Sequence, residues 1–162
     1  MAADRWFLKL DSIPGESAHV AHKDEIDVQS YSWGVSQTSS SPGAGGGGGA
    51  GKVAFQDLHF VAKISKASPK LFLACASGTH IKEATLSGVR GTGKAQADFL
   101  VYKFRDVMIT SVQHGDSEGD LPMEQLSLNY SKMEISYFPQ TRTGKVDAPI
   151  TAGYDLKANK KI

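Results

Sequence analysis

The sequence predicts a mainly β protein of one domain, residues 1–162, with a single short α-helix. Alternation of apolar and polar residues with a period of two recurs along the chain, and one segment carries the start and stop residues of a helix. The composition, 40% hydrophobic and 22% charged over 162 residues, is that of a folded globular domain. A domain of this length buries about 70% of the surface its unfolded chain exposes, so a core forms without covalent staples. Cys75 is the only cysteine, which excludes an intrachain disulfide and suits a reducing cytoplasm.

In chain order, strands are expected at about 5–10 and 26–35. Next, Leu58, Phe60, Ala62 and Ile64 share one face, opposite His59, Val61, Lys63 and Ser65. The helix falls at 69–77: Ser68 is placed to cap its free N–H groups, Pro69 suits its first position, and Gly78 ends it in the left-handed conformation. Its body, Leu71-Phe72-Leu73-Ala74-Cys75-Ala76, is apolar nearly all round. That pattern asks for a second covering surface, either a neighbouring subunit or the interior of its own barrel. Cys75, at helical spacing from Leu71 and Phe72, reads as a packed thiol.

Further strands follow at 80–87, at 99–104 with both faces largely apolar, and at 107–113. Leu126, Leu128 and Tyr130 alternate with Ser127, Asn129 and Ser131, then the phase switches to Met133, Ile135 and Tyr137. A bulge or bend near Lys132 accounts for the switch. A last strand covers 150–157. The stretch 39–51, SSSPGAGGGGGAG, holds seven of the 17 glycines. It cannot fill a core, so it is a loop, either flexible or ordered by a partner.

Charge and hydropathy narrow the partners. Eighteen Lys and Arg against 17 Asp and Glu leave a formal charge of +1, with no basic field for nucleic acid and no polybasic membrane patch. The cluster Trp6-Phe7-Leu8 is followed at once by Lys9 and Asp11. A secretory signal needs about 7–15 apolar residues and a membrane helix about 20. The expectation is a chain that does not insert into membranes and uses no cleaved N-terminal signal.

Four motifs suggest chemistry and each lacks its context. Gly46–Lys52 and Gly88–Lys94 read G-x-x-x-x-G-K, but Val53 and Ala95 stand where a magnesium-ligating Ser or Thr belongs. Gly115-Asp116-Ser117-Glu118-Gly119 fits G-x-S-x-G, yet an alternating strand follows in place of the required helix. Asp116, Glu118 and Asp120 lack the glycine and the closing glutamate of a calcium loop. His19 and His22, with Asp24 and Glu25 nearby, read as a polar surface loop, since nothing completes a set of metal ligands. No catalytic residue, metal or cofactor is expected, and the protein reads as a non-enzyme.

An ordered set of segments resembles the haemolysin-coregulated protein family, Hcp, of the bacterial type VI secretion system. It comprises Leu8-Lys9-Leu10-Asp11, Gly15-Glu16-Ser17, Asp24-Glu25-Ile26-Asp27-Val28, Tyr31-Ser32-Trp33-Gly34 and the glycine-rich loop to Gly51-Lys52-Val53. Lys66-Ala67-Ser68-Pro69-Lys70-Leu71, His80-Ile81, Ala84-Thr85-Leu86, Leu126-Ser127-Leu128-Asn129-Tyr130, Pro139-Gln140 and Gly153-Tyr154-Asp155-Leu156 follow in order. Tyr31 and Tyr154 stand where the family often has Trp, and Arg90-Gly91-Thr92-Gly93-Lys94 departs from its usual glycine pair.

The resemblance implies a two-sheet, β-barrel-like domain with one flanking helix, similar to phage tail-tube proteins. It implies a homo-hexameric ring and stacked rings forming an inner tube, which a contractile sheath expels with its spike. Effector proteins ride in the lumen, and export proceeds from the bacterial cytoplasm without a signal peptide. In that picture Leu71, Phe72 and Leu73 are candidate subunit-interface residues, and Gly45, Gly46, Gly47, Gly48 and Gly49 a candidate ring-stacking loop. Ser32, set opposite Tyr31 and Trp33 by strand alternation, is the candidate lumen residue for effector binding. With the last strand close to the end of the sequence, no attached toxic domain is expected. Two other classes compete: a monomeric β-sandwich binding module, for example for carbohydrate, and a hydrolase using Ser117.

Overall fold

The computed structural model describes residues 4–38, 53–91, 96–119, 121–140 and 146–162. Among these residues, eleven strands and one helix follow in order: β1 (Arg5–Leu10), β2 (Ile26–Ser32), β3 (Val35–Gln37), β4 (Val53–Phe55), β5 (Leu58–Lys63), α1 (Ser68–Ser77), β6 (His80–Arg90), β7 (Ala97–Gly115), β8 (Met123–Asn129), β9 (Lys132–Tyr137), β10 (Ile150–Asp155) and β11 (Lys160–Lys161). Neighbours in the order β7-β6-β1-β2-β5-β8 are hydrogen-bonded, and β8 returns to β7, closing a six-stranded barrel. Strands β9, β10 and β11 extend from β7 as a flap, and β3 and β4 form a separate two-stranded sheet.

Closure depends on one long strand. The sequence places two strands at 99–104 and 107–113; the structure joins them in β7, 19 residues long. Leu100–Arg105 pair with β9, while Met108–Gly115 pair with β8. Asp106 lies between the two registers with φ 54°, a left-handed conformation that Asp tolerates better than most residues. Its carboxylate accepts hydrogen bonds from His80 Nδ1 at 2.9 Å, Ser131 Oγ at 2.7 Å and Lys157 Nζ at 2.8 Å. The Lys157 bond above all, then those of Ser131 and His80, holds this carboxyl well below the usual carboxylate range. The expected bend near Lys132 is the crossing at Tyr130–Ser131, where the chain leaves the barrel edge for the flap.

The barrel interior takes the alternating residues the sequence marks: Leu8, Leu58, Phe60, Leu86, Phe104, Leu126 and Leu128 are all buried. Each such side chain contributes about 1.5–3 kcal/mol on leaving water. Helix α1 adds Leu71 and Ala74 to the same core. Ala67, not Ser68, is its cap residue, and it makes no side-chain cap bond. The Ser68 hydroxyl turns back to accept the Ser65 N–H at 3.0 Å, because Ser68 already lies within the first turn. Gly78 ends the helix at φ 65°, as the sequence implies.

The segment between β1 and β2 corrects one expectation. His22 is 6% exposed, not part of an exposed polar loop. Its ring stacks on Phe7 at 4.9 Å and 6°, Nδ1 bonds Glu25 Oε2 at 2.9 Å, and Nε2 bonds Asp98 Oδ1 at 2.7 Å. The loop thereby seals Phe7, which points away from the barrel interior and is fully buried. Gly15 lets the loop fold so tightly, since a Cβ there would lie 2.5 Å from the Glu25 carbonyl oxygen. Burial opposes a charged His22 ring, but the hydrogen bonds and negative charge of Asp98 and Glu25 outweigh it and raise its pKa above 6.5.

Two predictions follow from these contacts. The His22 contribution to stability is present in full below about pH 6.5 and is lost as pH rises through the raised value. Urea midpoints at acidic and alkaline pH should therefore converge in His22→Gln relative to the native chain. Asp106→Ala should lower the thermal midpoint more than Asp106→Asn, because Asn keeps the left-handed preference and one acceptor oxygen. Equal midpoints for the two variants would remove this account of the bend.

Candidate functional site

The outer face of the barrel at β2, β5, β8 and β7 carries the sequence-predicted Ser32. Tyr31 and Trp33 turn inward: the Tyr31 hydroxyl meets that of Tyr102 at 3.0 Å, and the Trp33 ring lies 5.8 Å from that of Tyr102. Burial, then the Tyr102 hydrogen bond, pushes the Tyr31 phenol well above its ordinary pKa. Ser32 therefore points outward and is exposed, as strand alternation requires.

Strand register sets two rows of outward side chains across the four strands. In the first, Ser32 pairs with His59, His59 with Ser127, and Ser127 with Ser111. In the second, Ser30 pairs with Val61, Val61 with Gln125, and Gln125 with Gln113. These eight positions hold hydroxyl, imidazole, carboxamide and one isopropyl group, with no carboxylate or amine. All of them except the buried Ser127 border a groove of about 410 Å³. Gln113 and Gln125 also border an adjoining recess of about 610 Å³ that reaches His114, Asp116 and Ser117.

The hydroxyls are ordered by a relay that runs through the buried Ser127. Thr110 Oγ1 donates to Asp57 Oδ2 at 2.8 Å, and Asn129 Nδ2 donates to Asp57 Oδ1 at 2.9 Å. Thr110 has one proton, so across its 2.7 Å contact with Ser127 it accepts. Ser127 then accepts from Ser111 in turn. The bulge between Ile109 and Ser111 turns both Thr110 and Ser111 outward and makes this chain of donors possible. Burial and the nearby Asp57 charge push the Tyr130 phenol up to about 12.

The remaining sequence candidates sit elsewhere. Leu71 is fully buried in the chain's own core, so it offers no surface to a partner. Phe72 and Leu73 on the same helix are 62% and 63% exposed. Helical spacing decides this split: Leu71 and Ala74 face β7, and the two residues between them point away. Phe72 also borders an apolar hollow with Ile64, Pro69 and Val112. Gly45, Gly46, Gly47, Gly48 and Gly49 lie outside the described residues, in the connection between β3 and β4.

The chemical motifs take non-catalytic contexts. Gly88-Val89-Arg90 belongs to β6, so the second phosphate-loop match begins inside a strand. Ser117 is exposed in a turn between β7 and β8, not at a strand-to-helix elbow. Next to it, His114 Nε2 bonds Oε2 of the fully buried Glu124 at 3.0 Å, and Glu124 Oε1 has no hydrogen-bond partner among the described residues. Residue alternation marks Ser127 and Asn129 as outward, but Gln113, Gln125 and Ser111 join Ser32 only through strand order and register.

Known proteins share this architecture and sequence. The family model described as type VI secretion system effector, Hcp, matches residues 7–137. Protein hcp1 of Pseudomonas aeruginosa is 40% identical over 161 residues, covering 98% of each chain. A solved structure of a type six secretion system protein matches at TM-score 0.92 and 29% identity, covering 99% of this chain and 100% of the other. The crystal structure of Hcp1 from Salmonella typhimurium matches at TM-score 0.80 and 34% identity, with the same coverage. A closed barrel with one flanking helix, similarity along nearly the whole length and a matching family model lead to one assignment: the chain belongs to the Hcp family of the type VI secretion system.

Proposed function

We propose that this protein is the repeating subunit of a type VI inner tube: six copies close a ring, rings stack, and the tube leaves the cell with its spike, driven by the sheath. The observation that carries the reading is the exposure of Phe72 and Leu73 on a helix whose opposite face is anchored in the barrel core. A rigid helix presenting two large apolar side chains to water is relieved by burial against another copy. A closed ring joins two different surfaces of one chain, so the face receiving this helix is a separate patch. A formal charge of +1 adds little repulsion between identical subunits.

In this reading the Ser32 wall lines the lumen, and the small side chains on β2 leave room for effectors. The loop at 39–51 meets the next ring. Assembly takes place in the bacterial cytoplasm, and export follows the tube without a signal peptide. The protein acts as a structural subunit and effector carrier, and performs no catalysis of its own.

Light scattering after size exclusion should give a mass six times that of the 17.3 kDa chain, with annular particles in negative stain. Phe72→Glu should leave folding intact, because the side chain is already in water in the single chain, yet shift the mass to one subunit. A folded native chain that stays monomeric at every concentration would replace this reading with that of a binding module. Ser32→Gln should preserve the ring while reducing co-purification of effectors. Unchanged co-purification would take effector binding away from this wall.

A further inference from the structure

We infer that the two outward rows on β2, β5, β8 and β7 form a binding wall for uncharged, extended polypeptide. The cross-strand pair Gln113–Gln125 is its main contact and grips main-chain amides. The inference rests on the lumen reading above and specifies what chemistry that wall accepts.

The geometry points to an extended chain. Ser32, His59, Ser127 and Ser111 form one row, and Ser30, Val61, Gln125 and Gln113 the next, so the polar groups run across four strands. Gln113 and Gln125 stand directly opposite each other and border both the 410 Å³ groove and the 610 Å³ recess. A ligand spanning both hollows must cross this pair. Each carboxamide carries two donor hydrogens and an acceptor oxygen, the same inventory as a peptide group. Two of them side by side can satisfy consecutive main-chain groups whatever the side chains.

The electrostatics select against charge. No position in either row ionises as an acid or an amine, and the adjoining recess adds one carboxylate, Asp116, at its far side, so a charged cargo group placed against the rows themselves loses water without gaining a counter-ion. The acid bordering the hydroxyl relay, Asp57, already has both oxygens engaged by Thr110 and Asn129. The relay commits the Ser111 proton to Ser127, which leaves the Ser111 oxygen as an acceptor beside the groove. One isopropyl group among eight positions supplies no apolar anchor. Recognition then comes from neutral hydrogen bonds, which tolerate unrelated cargo sequences and respond weakly to salt.

The test uses assembled rings and three labelled, unstructured peptides of Gly, Ser and Asn: one uncharged, one with interspersed lysines and one with glutamates. Fluorescence anisotropy reads binding to the native chain, Ser32→Gln, the double variant Gln113→Ala/Gln125→Ala and the isosteric Gln125→Glu. Both glutamines are exposed, so these changes spare the core, and light scattering confirms each ring.

The uncharged peptide should bind best, with affinity changing less than about twofold between about 0.05 M and about 0.5 M salt. The double alanine variant should weaken it about tenfold. Gln125→Glu should weaken it too and introduce salt dependence. Preference for a charged peptide with a steep salt response overturns the inference. So does native affinity in the double variant when Ser32→Gln loses binding, and in that case the lumen reading survives. Native affinity in Ser32→Gln as well as in the double variant, on well-formed rings, removes both.

Discussion

The bend of β7 at Asp106 is the constraint on which the rest of the structure depends. One strand of 19 residues must close the barrel against β8 and carry the flap against β9, on the same edge. A continuous register cannot serve both partners, so the strand turns at one residue, and the turn needs a positive φ. The Asp106 carboxylate makes that turn cooperative. His80 ties it to the start of β6, Ser131 to the crossing from β8 to β9, and Lys157 to the C-terminal segment. The pKa held down by these donors keeps the carboxyl ionised over the whole neutral range, so the tie does not slacken with ordinary changes in pH.

The same bend produces the candidate site. Beyond Asp106, β7 lies beside β8, and its bulge at Ile109–Ser111 turns two consecutive hydroxyls outward. Thr110 and Ser111 then complete the relay that ends on Asp57, and Gln113 comes to rest opposite Gln125. Before Asp106, the strand buries Tyr102 and Phe104 on one face and Phe99 and Val101 on the other, and only Lys103 and Arg105, near the bend, are exposed. The polar groove thus lies along the second half of one strand, and the segment buried on both faces, Phe99–Tyr102, along its first.

Much of the fold was legible in residue order. Period-two alternation located the barrel strands, and Pro69 with Gly78 bracketed the helix to within one residue at its start. Ser32 was legible for a related reason: two aromatic neighbours must share the face opposite it, and an aromatic face in water is costly. His22 was misread because its local neighbours, Lys23 and Asp24, are exposed, and its decisive partner Asp98 lies 76 residues away. The helix was ambiguous because six apolar residues in a row carry no stripe, so composition alone could not say which side met the core.

What the sequence determined by itself was the list of elements, the inward or outward sense of most strand residues, and the family resemblance carried by the order of short segments. Those properties depend on neighbours a few residues apart, where backbone geometry leaves little choice. Only the tertiary structure decided which strands adjoin, that Leu71 is spent on the core while Phe72 and Leu73 remain outside, and that Gln113 and Gln125 extend the wall begun by Ser32. Register between strands distant in sequence is set by closure of the barrel around its shared core. Contacts made by that closure leave no mark in the local pattern of the residues that make them.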